Sequence, residues 1–215
     1  YDPQGVISGE GAMTKDLIQV ADVDFRNVNV TSIAAVFVII LISFGSASIP
    51  VLLVGAIESA IAINMGIPYF TGTQLPFVAS IVVGTIQLGA TVDYAILTTT
   101  RFKEELEKGA GVKEAAHIAV EQCSQSILTS GLTFFAATAS VAAISQMELI
   151  SSLCHLISRG ALISMAVIIL ILPALLIVFA PVIAHTTRRW PKPGKAEAAP
   201  AQHGAFAFHK TRKEV

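Results

Sequence analysis

Asp93, Glu58 and Arg159 stand inside stretches that carry almost no full charge. Between Val28 and Thr100 the only such residues are Glu58 and Asp93, and between Ser124 and Thr187 only Glu148 and Arg159. A carboxylate inside a membrane span costs roughly 2.5–3.5 kcal/mol on insertion scales, and it turns to protein or water rather than to lipid. Asp93 is the sharpest of the three. It precedes Arg101 by eight residues, roughly 12 Å along a helix, and at that depth a carboxyl suits binding and release of protons. Tyr94 beside it offers a phenol that would stabilise the charged form, or it is an ordinary packing aromatic.

Other residues form a second tier. Ser126, Thr129, Ser130, Thr133 and Ser140 make a hydroxyl stripe, from which Ser130 and Thr133 are the candidate partners for Asp93 by depth. Equally, such hydroxyls bond to their own i−4 carbonyls. Glu58 is the second intramembrane acid, either a relay partner or a carboxyl hydrogen-bonded for structure. Arg159 is expected to be structural, snorkelling outward or paired with Glu148 or Glu58. The five histidines have no second ligand at metal spacing, and two cysteines make neither a disulfide framework nor a zinc site. No metal and no cofactor are expected.

The elements that carry these residues are membrane helices. Of 215 residues 53% are apolar and 13% charged, about half the charge of a soluble domain, and mean hydropathy is +0.70. A net charge of −1 leaves no basic footprint for nucleic acid. A span needs about 20 apolar residues, and five such segments are predicted at about 28–47, 50–67, 75–99, 125–145 and 156–184. Short turns at Gly45–Ser48 and Gly66–Pro68 make the first three antiparallel neighbours. Gly89 and Ala90, at i−4 and i−3 from Asp93, leave room for a close helix. The stripe Gly84, Gln87, Thr91, Tyr94, Thr98 is too polar to face lipid.

Outside the bundle at 28–184, residues 1–27 read as the end of an extracytoplasmic domain, with Gly9 to Arg26 as a short strand and helix. Residues 101–121 are a charged amphipathic connector that Gly109 and Gly111 divide into two short helices. The tail at 185–215 is expected to be disordered. The connector holds four Lys and Arg and the tail seven, whereas the two opposite loops hold none. The bias places connector and tail in the cytosol and the N-terminal segment outside, with Trp190 as an interfacial anchor. A first residue of Tyr suggests a fragment lacking its N-terminal part.

The run Gly84-Thr-Ile-Gln-Leu-Gly-Ala-Thr-Val-Asp93-Tyr94-Ala-Ile-Leu, with Arg101-Phe-Lys-Glu-Glu beyond it, resembles the fourth helix of a repeat in the resistance-nodulation-division (RND) superfamily, most of all its MMPL branch of bacterial exporters. Ser126-Ile-Leu-Thr-Ser-Gly-Leu-Thr133 and Leu172-Pro-Ala-Leu-Leu176 are similar to that branch's fifth and sixth helices, and Gly9-Glu-Gly-Ala-Met-Thr-Lys-Asp to the last segment of its porter domain. The resemblance implies an all-α membrane protein whose five helices are the end of one of two pseudo-repeats, with a short remnant of an α+β porter domain.

It further implies that Asp93 and Tyr94 relay protons, and that the chain works by proton antiport in the bacterial cytoplasmic membrane, exporting lipids or hydrophobic small molecules as a secondary active transporter and not an enzyme. Its implied partners are the bilayer, protons, a hydrophobic or lipid substrate, the other repeat and further copies of the chain. The competing class is a sterol-sensing-like lipid receptor or a regulatory membrane subunit, which would need no titrating acid.

Overall fold

The computed structural model describes residues 10–72 and 77–187. Expectations for residues 1–9 and 188–215, among them Trp190 and most of the polar tail, lie outside these. The described residues contain helices and connections and no strand: α1 (Glu10–Phe44), α2 (Ser48–Thr71), α3 (Phe77–Glu107), α4 (Val112–Ile144), α5 (Glu148–Ala166), a π-helical turn (Val167–Ile171) and α6 (Leu172–Thr186). Because α5, the π turn and α6 run on without a break, the chain forms five rods joined by short reversals, an all-α membrane bundle.

Four of the rods are long and apolar enough to cross a membrane: Val23–Phe44, Ser48–Thr71, Val112–Ile144 and Glu148–Thr186. The fifth, α3, carries Gln87, Asp93 and a run of threonines, and its position explains how it tolerates them. It packs against α1, α2, α4 and α5, so most of its surface meets protein. Gln87, Thr91 and Thr98 of the expected polar stripe are buried.

Several predicted boundaries move. Glu10–Arg26 is neither strand nor separate helix but the first half of α1, since nothing between Gly11 and Gly45 breaks a helix. The reversal expected at Gly66–Pro68 lies further on. α2 continues through both residues to Thr71 and ends on Gly72 at φ 66, a left-handed cap that glycine adopts without strain. The connector is not two free helices. Its halves extend α3 to Glu107 and begin α4 at Val112, with Gly109 at φ 95 between them. The last rod starts at Glu148 rather than near residue 156.

At that charged hairpin Phe102 and Leu106 of α3 pack with Ala115, Ala116 and Ala119 of α4, all buried. Arg101–Glu104 and Lys103–Glu107 pairs line its outside, where such solvent-facing pairs contribute little, and Lys108 reaches the buried carboxylate of Glu105; the apolar seam is the main support of the hairpin. At the same end Thr187, just past α6, donates to Ser46 Oγ at 2.6 Å and ties the last rod to the α1–α2 turn. Phe102, fully buried, is the largest side chain in the seam. Replacing it with Ala should cost about 3–5 kcal/mol, read as earlier thermal unfolding of the detergent-solubilised protein.

Candidate functional site

Asp93 sits on the outward face of α3. Gly89, Asp93 and Leu97 are all exposed there, at the i, i+4, i+8 spacing of one helix face. Among the described residues Asp93 makes no hydrogen bond and no ion pair. Tyr94 turns the other way, toward α4, where its hydroxyl donates to Ser130 Oγ at 3.0 Å. The two adjacent residues therefore serve different neighbours: the phenol is held inside this bundle, and the carboxylate is presented beyond it.

Of the remaining candidates, Ser130 is the one brought to this pair. Thr133 donates to the carbonyl of Thr129 at 2.7 Å, as Thr129 and Ser140 do to Gln125 and Ala136; for these three the i−4 carbonyl is the partner. Glu58 lies on α2, apart from the Tyr94–Ser130 contact, and its Oε1 is buried with no hydrogen-bond partner. No group of three metal-ligating side chains occurs among the described residues.

Between α2, α3 and α5 lies a polar cluster that charge counting did not reveal. Arg159 Nε donates to Asn64 Oδ1 at 2.9 Å and Arg159 Nη2 to the Asn64 carbonyl at 2.9 Å. Asn64 Nδ2 donates to Gln87 Oε1 at 2.9 Å and to the Leu156 carbonyl at 3.1 Å, and Gln87 Nε2 donates to Ser164 Oγ at 2.9 Å. Arg159 thus pairs with Asn64 rather than with Glu148 or Glu58. The cause is Pro68. A proline has no N–H, so in α2 the carbonyl four residues earlier, that of Asn64, loses its helical donor, and the guanidinium supplies one. A lone amide four residues before an intrahelical proline was the signal available in the sequence.

Close approach completes the arrangement. A Cβ on Gly160 would come within 2.6 Å of Asn64 Nδ2 and of Gln87 Oε1, so a side chain there would push both amides out of this arrangement. Next to this cluster a cavity opens between α3, α4 and α5, bounded among others by Gln87, Thr91, Tyr94, Gly131, Ala161 and Ser164.

Removing Arg159 orphans two acceptors on Asn64, at about 1–3 kcal/mol each. Arg159→Met should therefore lower thermal stability clearly. Adding Pro68→Ala restores the N–H that the Asn64 carbonyl lost, so the double variant should recover part of the deficit. A double variant no more stable than Arg159→Met would show that the proline and the arginine are not coupled.

The profile of the MMPL family matches residues 4–203. A membrane protein of Streptomyces coelicolor is 33% identical over 131 residues, 59% of this chain and 18% of the relative. The mycolic acid-containing lipids exporter MmpL11 of Mycolicibacterium smegmatis is 26% identical over 200 residues, covering 90% and 20%. The "Probable trehalose monomycolate exporter MmpL3" of Mycobacterium leprae is 27% identical over 178 residues, covering 81% and 18%. The chain spans about a fifth of the length of these relatives. A match over nearly the whole chain, on a helical bundle with a carboxylate presented from its most polar rod, places it plainly: the chain belongs to the MMPL family.

Proposed function

We propose that this chain is the five-helix end of one repeat of a proton-driven exporter of lipids or hydrophobic small molecules, and that Asp93 with Tyr94 is its proton relay. The observation that carries this reading is the placement of Asp93, exposed on a bundle face with no partner of its own. Charged groups at membrane depth turn to protein or to a water-filled cavity. Lipid is therefore the wrong neighbour for this face, and Gly89 one turn away lets another helix approach closely. The second half of the transporter is the occupant that fits, bringing its own relay group to the same place. Related exporters named for mycolic acid-containing lipids and trehalose monomycolate favour a lipid cargo.

In this reading the N-terminal end of α1 lies outside and the hairpin at 101–121 lies in the cytosol of a bacterial cell, where its four Lys and Arg satisfy the positive-inside bias. Protonation of Asp93 from outside neutralises it and lets α3 shift against the facing half; release to the cytosol restores the charge. One proton crossing 100 mV supplies about 2.3 kcal/mol, a modest bias that suffices when the two arrangements are close in energy. Ser130 is a relay partner through Tyr94. Thr133 and Glu58 are at most secondary ones, the first bonded to its own helix and the second on another rod.

The test is dissipation of a pH gradient by the full-length protein in proteoliposomes. Asp93→Asn keeps size and polarity but cannot exchange a proton, so substrate-dependent flux should fall to background while insertion and expression stay normal. Tyr94→Phe should lower the flux without abolishing it. Undiminished flux in Asp93→Asn would end the relay assignment. Absence of flux in the wild type under any lipid load would favour a lipid-sensing role instead.

A further inference from the structure

Arg159 can only donate hydrogen bonds, and this fixes the direction of everything beyond it. With the Asn64 oxygen occupied by Arg159, the Asn64 amide nitrogen must face Gln87 Oε1, and the Gln87 nitrogen must face Ser164 Oγ. Ser164 accepts that bond and has no protein acceptor for its own hydrogen among the hydrogen bonds of the described residues. It is nearly fully buried, at 2% exposure, and it lines the cavity that Tyr94 also lines. Tyr94 donates to Ser130, which leaves its oxygen lone pairs free to accept. The cavity has about 10 Å³ for the centre of a water molecule, close to the least that holds one. Its walls are mostly apolar, and Ser164 and Tyr94 supply the two polar partners that a buried water needs at the least.

We propose that this cavity binds a single water molecule that accepts from Ser164 and donates to the Tyr94 oxygen, closing one hydrogen-bond chain from Arg159 through Asn64, Gln87 and Ser164 to Tyr94 and Ser130. Every bond in it points the same way. A series of aligned bonds polarises each member, so the guanidinium on α5 is felt at the phenol on α3. Neutral amides do not pass a net proton, and the chain is therefore no conduit. Ser164 and Gln87 are positioning residues that hold Tyr94 as a strong donor toward Ser130. This functional consequence rests on the relay reading above; the water site itself does not.

The experiment compares the full-length wild type with Ala161→Val, Ser164→Ala and Ser164→Thr by infrared difference spectroscopy on changing pH, with H2(18)O exchange marking water bands and Tyr94→Phe assigning the tyrosine C–O band. Ala161→Val fills the cavity without removing a polar group. It should abolish one isotope-sensitive water band, shift the Tyr94 band, and lower proton flux roughly threefold to tenfold, the range that one hydrogen bond gives. Ser164→Ala should do the same, and Ser164→Thr, which keeps the hydroxyl, should restore band and flux. A water band unchanged in Ala161→Val overturns the proposal, as does an unmoved Tyr94 band. If Asp93→Asn retains flux, the relay reading fails, and the two infrared bands still decide the water site.

Discussion

The contact between Arg159 and Asn64 is the constraint on which the bundle turns. Hydrocarbon offers no hydrogen bonds, so every polar group within it must be answered by the protein. Pro68 creates one such demand by leaving the Asn64 carbonyl without its helical donor, and Arg159 brings a larger one, a charge on an otherwise apolar rod. Each answers the other at 2.9 Å. Gly160, next to Arg159, is what allows the rods to close on this contact, since a side chain there would overlap both amides. Three rods are thereby fixed in register by groups none of which could be left alone.

α3 is built around that register, with two unlike faces. Its inward face carries Gln87, Thr91 and Thr98, buried against protein, and Tyr94, which reaches Ser130 on α4. Its outward face carries Gly89 and Asp93. Surrounding rods answer the polar groups of the inward face. The exposed carboxylate makes the same argument on a larger scale, for it gives the bundle a face suited to protein or water rather than to lipid.

Much of this was legible in the chain. Charge segregation located the rods, because a span tolerates few full charges, and the Asp-Tyr pair stood out for the same reason. Depth alone singled out Ser130, but as a partner for Asp93, whereas the structure joins it to Tyr94. Boundaries were less legible: Gly66 and Pro68 read as a turn, yet α2 passes through them because a donor on another rod repairs the lost bond. No local pattern can announce a repair made by a residue 95 positions away. Asn64 and Ser164 were missed for a related reason, being uncharged and isolated, so that only the fold brings them together. The strand expected near the N-terminus failed because local polarity says little about whether an unbroken helix continues.

Pinning is uneven along the bundle, and this bears on how it would move. The hydrogen bonds that join α2, α3 and α5 reach as far as Ser164 on the last rod. Beyond it the buried residues are Val167, Ile168, Leu172, Pro173, Leu176, Ala180 and Ile183, all apolar, until Thr187 meets Ser46 at the far end. Between the two regimes lie the π turn at Val167–Ile171 and Pro173 within the first turn of α6, the features at which helices bend. Aliphatic contacts lack the directionality of hydrogen bonds, so a small shift there need leave no polar group unanswered. The last rod is therefore held by hydrogen bonds at its Arg159 end and again at Thr187, with the aliphatic stretch and the π turn between them.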